Sequence, residues 1–414
     1  MTRKQRMLSA IAGDPLDMIP WAPRLDLWYN ANKRAGTLPV KYKKATLTQI
    51  VDDLDMGYHA VIPDFKDLRD PGDEVHRALG IYNLRAMPYA TVLENVGVEV
   101  DYRGDETVVE YHTPVGDIRT RVLYDEAMRK AGVSITHVLE CAIKSGRDYA
   151  AVGYIFENAR VIRNYDGYAE FAADIGERGL AVAFVSLAAS PMHLLQRELM
   201  PMHLFFYELY DHPEEIGQCA SKIGGYLDRV FEAVAECPAE TFLLGANYDA
   251  GITYPPFFAE HILPWLKRMA DRLHQAGKLL FTHADGENTG LLEYYLASRI
   301  DAADSICPHP MTKLSFREVR DVFAGAITIM GGVPSICLLP EVMPNADFEA
   351  YLDQFFQELG SGDRLILGIS DTAPPSADFE RMLRIGDRVK AWGPVQGRRR
   401  LDRERTGFPG RRHE

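Results

Sequence analysis

KLLFTHADGENTGLLEYYLASRIDAADSIC, residues 278–307, contains two short apolar runs separated by an amphipathic run. KLLFTHA (278–284) and AADSIC (302–307) have the length and apolar character of buried strands, and TGLLEYYLASRI between them has the apolar spacing of a helix. A strand, a helix and a second strand in this order form a βαβ unit, whose two strands lie parallel. The stretch therefore predicts a parallel sheet covered by helices.

The same alternation extends through the second half of the chain, where at least six strand candidates are each followed by a helical pattern. Such regular alternation favours a closed barrel. MIPWAPRLDLW (18–28) and LDMGYHAVIPDF (54–65) would supply strands missing from the first half. The prediction is an α/β fold, a (β/α)8 TIM barrel, with residues 1–396 as one domain. The six candidates are AVAFVSLA (181–188), ETFLLGAN (240–247), KLLFTHA (278–284), AADSIC (302–307), AITIMGG (326–332) and RLILGIS (364–370).

Two segments depart from this alternation. VGVEVDYRGDETVVEYHTPVGDIRTRVLY (96–124) alternates at period two around a Gly-Asp turn and a Pro-Val-Gly turn. It is therefore predicted to be an antiparallel β meander inserted into the barrel, and it is a candidate lid or docking surface. Residues 397–414 carry seven arginines against three acids and have no apolar periodicity. We expect this tail to be disordered.

The composition excludes several classes of protein. The chain has 46 basic and 59 acidic residues, a net charge of −13, which argues against a nucleic-acid backbone as the main partner. The longest apolar runs, such as LAVAFVSLAAS (180–190), are shorter than the roughly 20 residues of a membrane-spanning helix. The N-terminus lacks the apolar region of an export signal, and the five cysteines are widely spaced without a CxxC pair. We therefore expect a cytoplasmic protein that binds neither nucleic acid nor membrane.

The strand KLLFTHA ends in polar residues. In a (β/α)8 barrel the reactive groups lie at the carboxyl ends of the strands. His283 and Asp285 stand at i and i+2 there, so the alternation of strand side chains points them the same way. A histidine and a carboxylate suit a divalent metal, commonly zinc, or general acid–base catalysis. The structural alternative is a turn at Asp285-Gly286 and a hydrogen bond from His283 to a neighbouring strand.

Similar polar residues follow two other predicted strands. Asn247 and Asp249 repeat the i, i+2 spacing, while Tyr248 between them faces the opposite way unless the loop has already begun. Asp371, after the last strand, is a further carboxylate for the same cavity. The structural alternatives are an Asx turn at Asn247 or Asp249 and a turn cap at Asp371.

Four more candidates come from the loops and from the first predicted strand. Arg24 and Asp26 are again two residues apart, and Arg24 could bind a carboxylate or an oxyanion bidentately. The structural alternative is an ion pair between Arg24 and Asp26 that closes the barrel. His193 and His309 each follow a strand and are candidate ligands, although a single loop histidine more often is not one.

Aromatic residues and one cysteine complete the candidates. Trp21, Trp28, Tyr29 and Tyr58 could form a wall for a flat substrate or a large cofactor ring, and barrel packing explains them nearly as well. Cys307 could be a soft ligand or a nucleophile, but a buried small residue is the simpler explanation. Nucleotide-binding and serine-hydrolase motifs are missing from the right contexts.

Several of these motifs, taken in order, resemble the uroporphyrinogen decarboxylase superfamily, which also contains corrinoid-dependent methyltransferases. The resemblance covers about residues 5–393 and implies the barrel fold. Members of the superfamily are often dimers, so it also implies a homodimer. The motifs are IPWAPRLDLW, FVSLAASPMHLL, PPFFAEHILPWLKRMADRLHQAG leading into LLFTHADG, GGVPS and LILGISDTAPP.

Three groups within that superfamily differ at the candidate site. The decarboxylases carry an arginine-rich RQAGR-type motif, which this chain matches only at Arg24. The methylcobalamin:coenzyme M methyltransferases have a His-x-Cys pair and a second cysteine that bind zinc, where this chain reads His283-Ala284-Asp285 and Ile369-Ser370-Asp371. Carboxylates in place of thiolates favour oxygen ligands. The chain most resembles the third group, the substrate:corrinoid methyltransferases of O-demethylase systems, which share the HxDG pattern and the inserted meander.

This resemblance implies an enzyme that moves a methyl group from a methyl ether, such as a methoxylated aromatic, to a Co(I) corrinoid (cobalamin). The chain has no corrinoid-binding segment of the DxHxxG type, so a partner protein would carry the corrinoid. A decarboxylase-like lyase and a non-enzymatic tetrapyrrole or corrinoid carrier are the alternatives. The expected roles are zinc binding by His283 and Asp285 with Asp249, Asp371 or His309, catalysis by Asp249, Asp371, Arg24 and Asp26, and substrate binding by Asn247, Tyr248, Trp28 and His193.

Overall fold

The computed structural model describes residues 1–61, 74–133 and 135–397. Short apolar and β-branched runs form thirteen strands within these residues. The strands are β1 (Tyr58–Val61), β2 (Tyr89–Leu93), β3 (Gly97–Arg103), β4 (Glu106–Thr113), β5 (Gly116–Leu123), β6 (His137–Glu140), β7 (Ala159–Arg163), β8 (Gly179–Ser186), β9 (Thr241–Ala246), β10 (Leu279–His283), β11 (Ala302–Ile306), β12 (Thr328–Pro334) and β13 (Leu365–Ser370).

Seven of the strands form the central sheet, in the order β1, β8, β9, β10, β11, β12, β13. Every neighbouring pair in it is parallel. The six strands predicted in the second half of the chain are β8 to β13, which confirms the α/β alternation. The predicted strand at 54–65 corresponds to β1, and residues 62–65 lie outside the described residues.

The two edges of this sheet are joined through residues 20–22. The Ala22 amide donates to the Leu367 carbonyl of β13 at 2.7 Å, and the Gly57 amide, just before β1, donates to the Trp21 carbonyl at 2.7 Å. The predicted strand at 18–28 is therefore a single parallel bridge at Trp21. Prolines on both sides of Trp21-Ala22 remove amide donors that a longer strand would need. The parallel sheet is thus curled, with a bridge at the position of an eighth strand.

Helices follow the strands and cover the outer face of the sheet. Helix Phe316–Phe323 shows why they form: Ser315 closes a capping box at its start, and Phe316, Val319 and Phe323 are buried at helical spacing. The helices are Arg3–Ala12, Asp26–Ala35, Leu47–Asp53, Glu126–Lys130, Tyr149–Glu157, Tyr165–Ile175, Pro191–Leu194, Met202–Asp211, Pro213–Ala235, Pro255–Phe257, Leu263–Gln275, Leu292–Ser298, Phe316–Phe323, Asn345–Glu358 and Phe379–Trp392, with π-helical turns at Leu195–Leu199 and Phe258–Ile262.

The segment between β1 and β8 contains the predicted antiparallel meander. β3, β4 and β5 pair antiparallel across 97–123, and β6 adds a fourth strand, so the sheet extends further than the predicted 96–124. Val109 and Tyr111 of β4 are buried, whereas β3 is exposed along its whole length. A separate antiparallel pair joins β2 to β7.

Two further predictions concern membranes and the tail. In the part of the chain that the structure describes, no helix is both long enough and apolar enough to cross a membrane. Residues 398–414 of the predicted tail lie outside the described residues.

Candidate active site

Charged side chains from several strand ends meet inside the curled sheet. His283, the last residue of β10, donates from Nδ1 to Oδ2 of Asp304 in β11 at 2.7 Å. Its Nε2 lies 3.5 Å from Oδ1 of Asp371, which follows β13. One ligand atom each of His283, Asp285 and Asp371 lies within 4.8 Å of the other two, and we call these three residues the three-ligand group. We call His283, Asp285, Asp304, Asp371 and Arg24 the mouth cluster.

Two donors hold the carboxylate of Asp371. Arg24 donates from Nη1 to its Oδ1 at 2.5 Å, and Ser305 donates from Oγ to the same oxygen at 2.9 Å. Among the described residues, Oδ2 of Asp371 has no such donor. Arg24 therefore pairs with Asp371, whereas the structural alternative named Asp26 as its partner. One carboxylate oxygen of Asp371 is left for another ligand.

An irregularity in β11 brings two consecutive residues into the site. Consecutive side chains of a regular strand point to opposite faces. The register between β11 and β12 shifts between Ala303 and Ile306, and Ser305 has a positive φ of 60°. Such an irregularity redirects side chains. Asp304 can therefore bond His283 while Ser305 bonds Asp371.

The charges in the cluster shift the pKa of each member. Burial lowers the pKa of His283, but Asp371 and the hydrogen bond to Asp304 outweigh it and raise this pKa overall. Burial raises the pKa of Asp371, but Arg24 and His283 bring it below its usual value. Burial dominates at Asp285, whose pKa is raised. Asp285 is therefore the carboxyl group of the cluster that most readily holds a proton.

The mouth cluster fits a divalent cation. Asp304 is buried and its pKa is held below the usual range despite desolvation, because His59 and His283 stabilise its carboxylate. An ionised carboxylate accepts only, so His283 carries a hydrogen on Nδ1. Its Nε2 offers a lone pair to a metal once the ring has lost its second proton, which the raised pKa otherwise retains. Histidine nitrogen and carboxylate oxygen are both zinc ligand atoms, and a catalytic zinc site uses three protein ligands and leaves one position open. His283 Nε2, Asp285 and Asp371 are the residues that could hold the metal.

The structure separates two residues after β9 from this cluster. Asp249 accepts the Gly251 amide on Oδ1 at 2.8 Å, which is the predicted Asx turn. Asn247 is exposed and has a positive φ of 57°. Among the described residues Asp249 is not part of the three-ligand group at the mouth. Of the three residues predicted as a possible third ligand, Asp371 is the one that lies beside His283 and Asp285.

Tyr248 and His193 lie together outside the curled sheet. Tyr248 is fully buried and its hydroxyl lies 2.9 Å from Oγ1 of Thr282. His193 stacks on the Tyr248 ring at 5.3 Å, and its Nδ1 accepts the Ala189 amide at 3.1 Å. Burial lowers the pKa of His193 to about 3. Both residues, predicted to bind substrate, lie in the packing between strands and helices.

Three other candidates are also away from the three-ligand group. Trp28 is buried and stacks on Phe379 at 5.2 Å, so it packs the helix layer rather than forming an open wall for a substrate. His309 is exposed in the loop after β11. Asp26 starts helix Asp26–Ala35, and it is one of the carboxylates that raise the pKa of Arg24 against the effect of burial.

Cys307 follows β11 and is buried. Burial raises the pKa of its thiol to about 12, with Asp285 as a further cause. A thiol that stays protonated is a poor nucleophile and a poor metal ligand. The interpretation of Cys307 as a buried small residue agrees with this environment.

Sequence reasoning missed Asp304, Ser305 and His59. Asp304 stands inside the predicted strand AADSIC, and a carboxylate in the middle of an apolar strand was the available signal. His59 stands in the predicted strand at 54–65 and lies 3.5 Å from Asp304. Nothing in the local sequence indicates that these two strands face each other.

The chain is similar to a described family and to solved structures. The family described as Uroporphyrinogen decarboxylase (URO-D) matches residues 90–392. A methyltransferase from Methanosarcina mazei superposes with a TM-score of 0.55 at 13% sequence identity, over 95% of this chain and 99% of that chain. At that identity the similarity shows a shared fold. No curated protein sequence matches the chain significantly.

Proposed function

The chain belongs to the uroporphyrinogen decarboxylase (URO-D) family, and we propose that it is a methyltransferase whose active site lies inside the curled sheet. The methyl group comes from a methyl ether, such as a methoxylated aromatic, and goes to a Co(I) corrinoid carried by a partner protein. The observation that carries the proposal is the group His283, Asp285 and Asp371, with its ligand atoms within 4.8 Å of one another. Its carboxylates favour an oxygen-bearing substrate. The fold shared with a Methanosarcina methyltransferase supports the reaction class.

The residues of the mouth cluster have distinct tasks in this proposal. His283, Asp285 and Asp371 would hold a zinc ion, which when bound would supply Lewis-acid stabilisation of the oxygen that loses the methyl group. Arg24 fixes Asp371 through the 2.5 Å hydrogen bond, and Asp304 fixes the ring of His283 through the 2.7 Å hydrogen bond. Because these hydrogen bonds hold Asp371 and His283 in place before the substrate binds, the two side chains need not reorganise when it enters.

The oxygen that departs needs a proton or an equivalent charge, because an alkoxide or phenoxide is a poor leaving group. When the methyl carbon–oxygen bond breaks, both electrons stay on the oxygen. Asp285 can supply the proton in the alternative form of the mechanism, since burial raises its pKa and favours its protonated form. The product is then an alcohol or a phenol.

Anaerobic incubation of the purified chain with cob(I)alamin and a panel of methyl ethers tests the proposal through the visible spectrum. We expect loss of the Co(I) band and appearance of methyl-Co(III) with one donor class. The matched control is Asp249→Asn, which changes a carboxylate of an Asx turn outside the three-ligand group. Full methyl transfer by His283→Ala would contradict the assigned site.

The family match also favours a second candidate, a decarboxylase-like lyase. Its tetrapyrrole substrate carries carboxylates, which the carboxylates of Asp285, Asp304 and Asp371 would repel. Arg24, the one arginine that matches the decarboxylase motif, is bonded to Asp371. Release of CO2 from uroporphyrinogen, with no change in the corrinoid spectrum, would favour this candidate over methyl transfer.

A further inference from the structure

His59 in β1 is a buried residue of the sheet interior that the proposed function does not use. Its side chain is 3% exposed. Its Nε2 is buried and has no hydrogen-bond partner among the described residues. Buried polar atoms are nearly always hydrogen-bonded, so an exception needs a physical reason.

The position of His59 relates it to the mouth cluster. β1 and β11 are separated by β8, β9 and β10 on one side, and by β12, β13 and residues 20–22 on the other. They therefore lie on opposite sides of the curled sheet. Nδ1 of His59 nevertheless lies 3.5 Å from Oδ1 of Asp304, so this contact crosses the interior.

Asp304 stands between two imidazole rings. Its Oδ1 faces His59, and its Oδ2 accepts from Nδ1 of His283 at 2.7 Å. His59 also lines a small cavity together with Arg24, Asp304 and Asp371. No apolar layer therefore separates His59 from the mouth cluster.

The protonation state of His59 determines whether the nitrogen that faces Asp304 carries a hydrogen. Burial lowers the pKa of His59 to about 4, so its ring is neutral at pH 7 and has a single N–H. A hydrogen on Nδ1 gives the nitrogen nearest Asp304 a positive N–H end, 3.5 Å from the carboxylate oxygen. A hydrogen on Nε2 would instead point a lone pair at that carboxylate, which is repulsive. Asp304 therefore favours the Nδ1–H tautomer.

We propose that His59 is a positioning residue of the cation site. Its Nδ1–H side steadies Asp304 in the orientation that accepts from His283, and this keeps Nε2 of His283 turned towards Asp285 and Asp371. The inference rests on the proposed function, in which the three-ligand group binds the metal. A residue that directly holds a ligating histidine, as Asp304 does, changes metal affinity by about 10–100-fold when it is removed, and His59 acts through Asp304.

Zinc affinity of the purified chain tests this role without donor, corrinoid or turnover. The probe is Zn²⁺ alone, titrated against a chromophoric chelator at pH 7.5. The variants are His59→Asn, whose amide nitrogen takes the place of Nδ1, His59→Gln, whose amide nitrogen takes the place of Nε2, and His59→Phe, which keeps the ring. We expect the Kd to rise about 10-fold or more in the Phe and Gln variants and less than about 3-fold in the Asn variant.

A role in packing alone predicts the opposite order, because Phe conserves the volume of the ring and Asn does not. The melting temperature of each variant, measured beside the Kd, separates loss of stability from loss of metal affinity. His274→Phe is the matched control, because His274 pairs with Asp301 at 2.8 Å away from the mouth cluster. Its Kd should equal that of the wild type.

Two results would overturn the inference while leaving the proposed function intact. One is a wild-type zinc Kd in His59→Phe, and the other is an equal loss of affinity in the Asn and Phe variants. If the unaltered chain binds no zinc, the zinc site assigned in the proposed function is wrong, and the inference fails with it.

Discussion

Two histidine-centred groups in this molecule offer the same kinds of ligand atom in different surroundings. His283, Asp285 and Asp371 form one inside the curled sheet, and Glu99, Glu110 and His112 form the other on the antiparallel sheet. In both, the ligand atoms lie within 4.8 Å of one another. Ligand geometry alone therefore does not separate a functional site from a set of surface charges.

The supporting residues and the burial differ between the two groups. The side chain of His283 is 8% exposed and that of His112 is 40% exposed. Each histidine has an aspartate at Nδ1, Asp304 at 2.7 Å and Asp117 at 3.1 Å, but Asp117 is 68% exposed. Desolvating charges is costly unless they are paired and hydrogen-bonded. The interior group carries that cost and the outer group avoids it, which is a reason to assign function to the interior one.

The largest effect should come from removing the histidine of the interior group. His283→Ala deletes one of the three proposed ligands, so we expect zinc affinity and methyl transfer to fall by more than the roughly 10–100-fold that loss of a ligand's partner produces. His112→Ala, the matched change on the outer sheet, should leave both unchanged. Zinc titration and the corrinoid spectrum measure the two effects. Equal losses in both variants would contradict the distinction drawn here.

A smaller effect should follow from changing the aspartate behind each histidine. Asp304→Asn keeps the side-chain shape but weakens the acceptor that holds the Nδ1 hydrogen of His283. We expect zinc affinity to fall about 10–100-fold. Asp117→Asn makes the same change beside His112, and its zinc affinity should match that of the wild type. An unchanged Kd in Asp304→Asn would show that Asp304 does not orient the ligand.

The sequence predicts that His283 and Asp285 lie on the same side, but it wrongly groups Asp249 with them. The difference depends on where each strand ends. The i, i+2 rule holds for His283 and Asp285, because the Ala284 amide still donates to the Asp304 carbonyl at 2.7 Å and the pairing continues past β10. The same rule does not extend to Asp249, since the chain turns at Asn247 with a positive φ. The local sequence pattern predicts that a strand forms, but it does not predict the residue at which that strand stops pairing with its neighbour.

The contacts of His59 and Ser305 were beyond prediction for a different reason. The contact of His59 with Asp304 depends on how the sheet curls and not on sequence spacing. Ser305 joins Asp304 in the interior through an irregularity of β11, which alternation of side chains does not foresee. The six strands β8 to β13, by contrast, follow from apolar runs and their spacing.

Buried histidines should also make the chain sensitive to acid. Burial lowers the pKa of His193 to about 3, below its usual 6.5, so between these pH values the unfolded chain binds more protons. The free energy of unfolding therefore falls as pH drops from 6.5 towards 3, by up to about 1.4 kcal/mol per pH unit for this one group. His193→Gln should flatten the slope, as denaturant unfolding at several pH values would measure. Above pH 6.5 the two curves should run parallel, and equal slopes at pH 5 would contradict the assignment.

The smallest effect concerns the outer group itself. Glu99 is 77% exposed and its Oε1 lies 3.8 Å from Nε2 of His112, a separation at which solvent screens most of the attraction. Glu99→Gln should therefore change the free energy of unfolding by less than about 0.5 kcal/mol and leave zinc affinity unchanged. Denaturant unfolding measures the first quantity and chelator competition the second. If zinc stabilised the wild type but not Glu99→Gln, the outer group would be a genuine metal site, and burial would no longer distinguish the two groups.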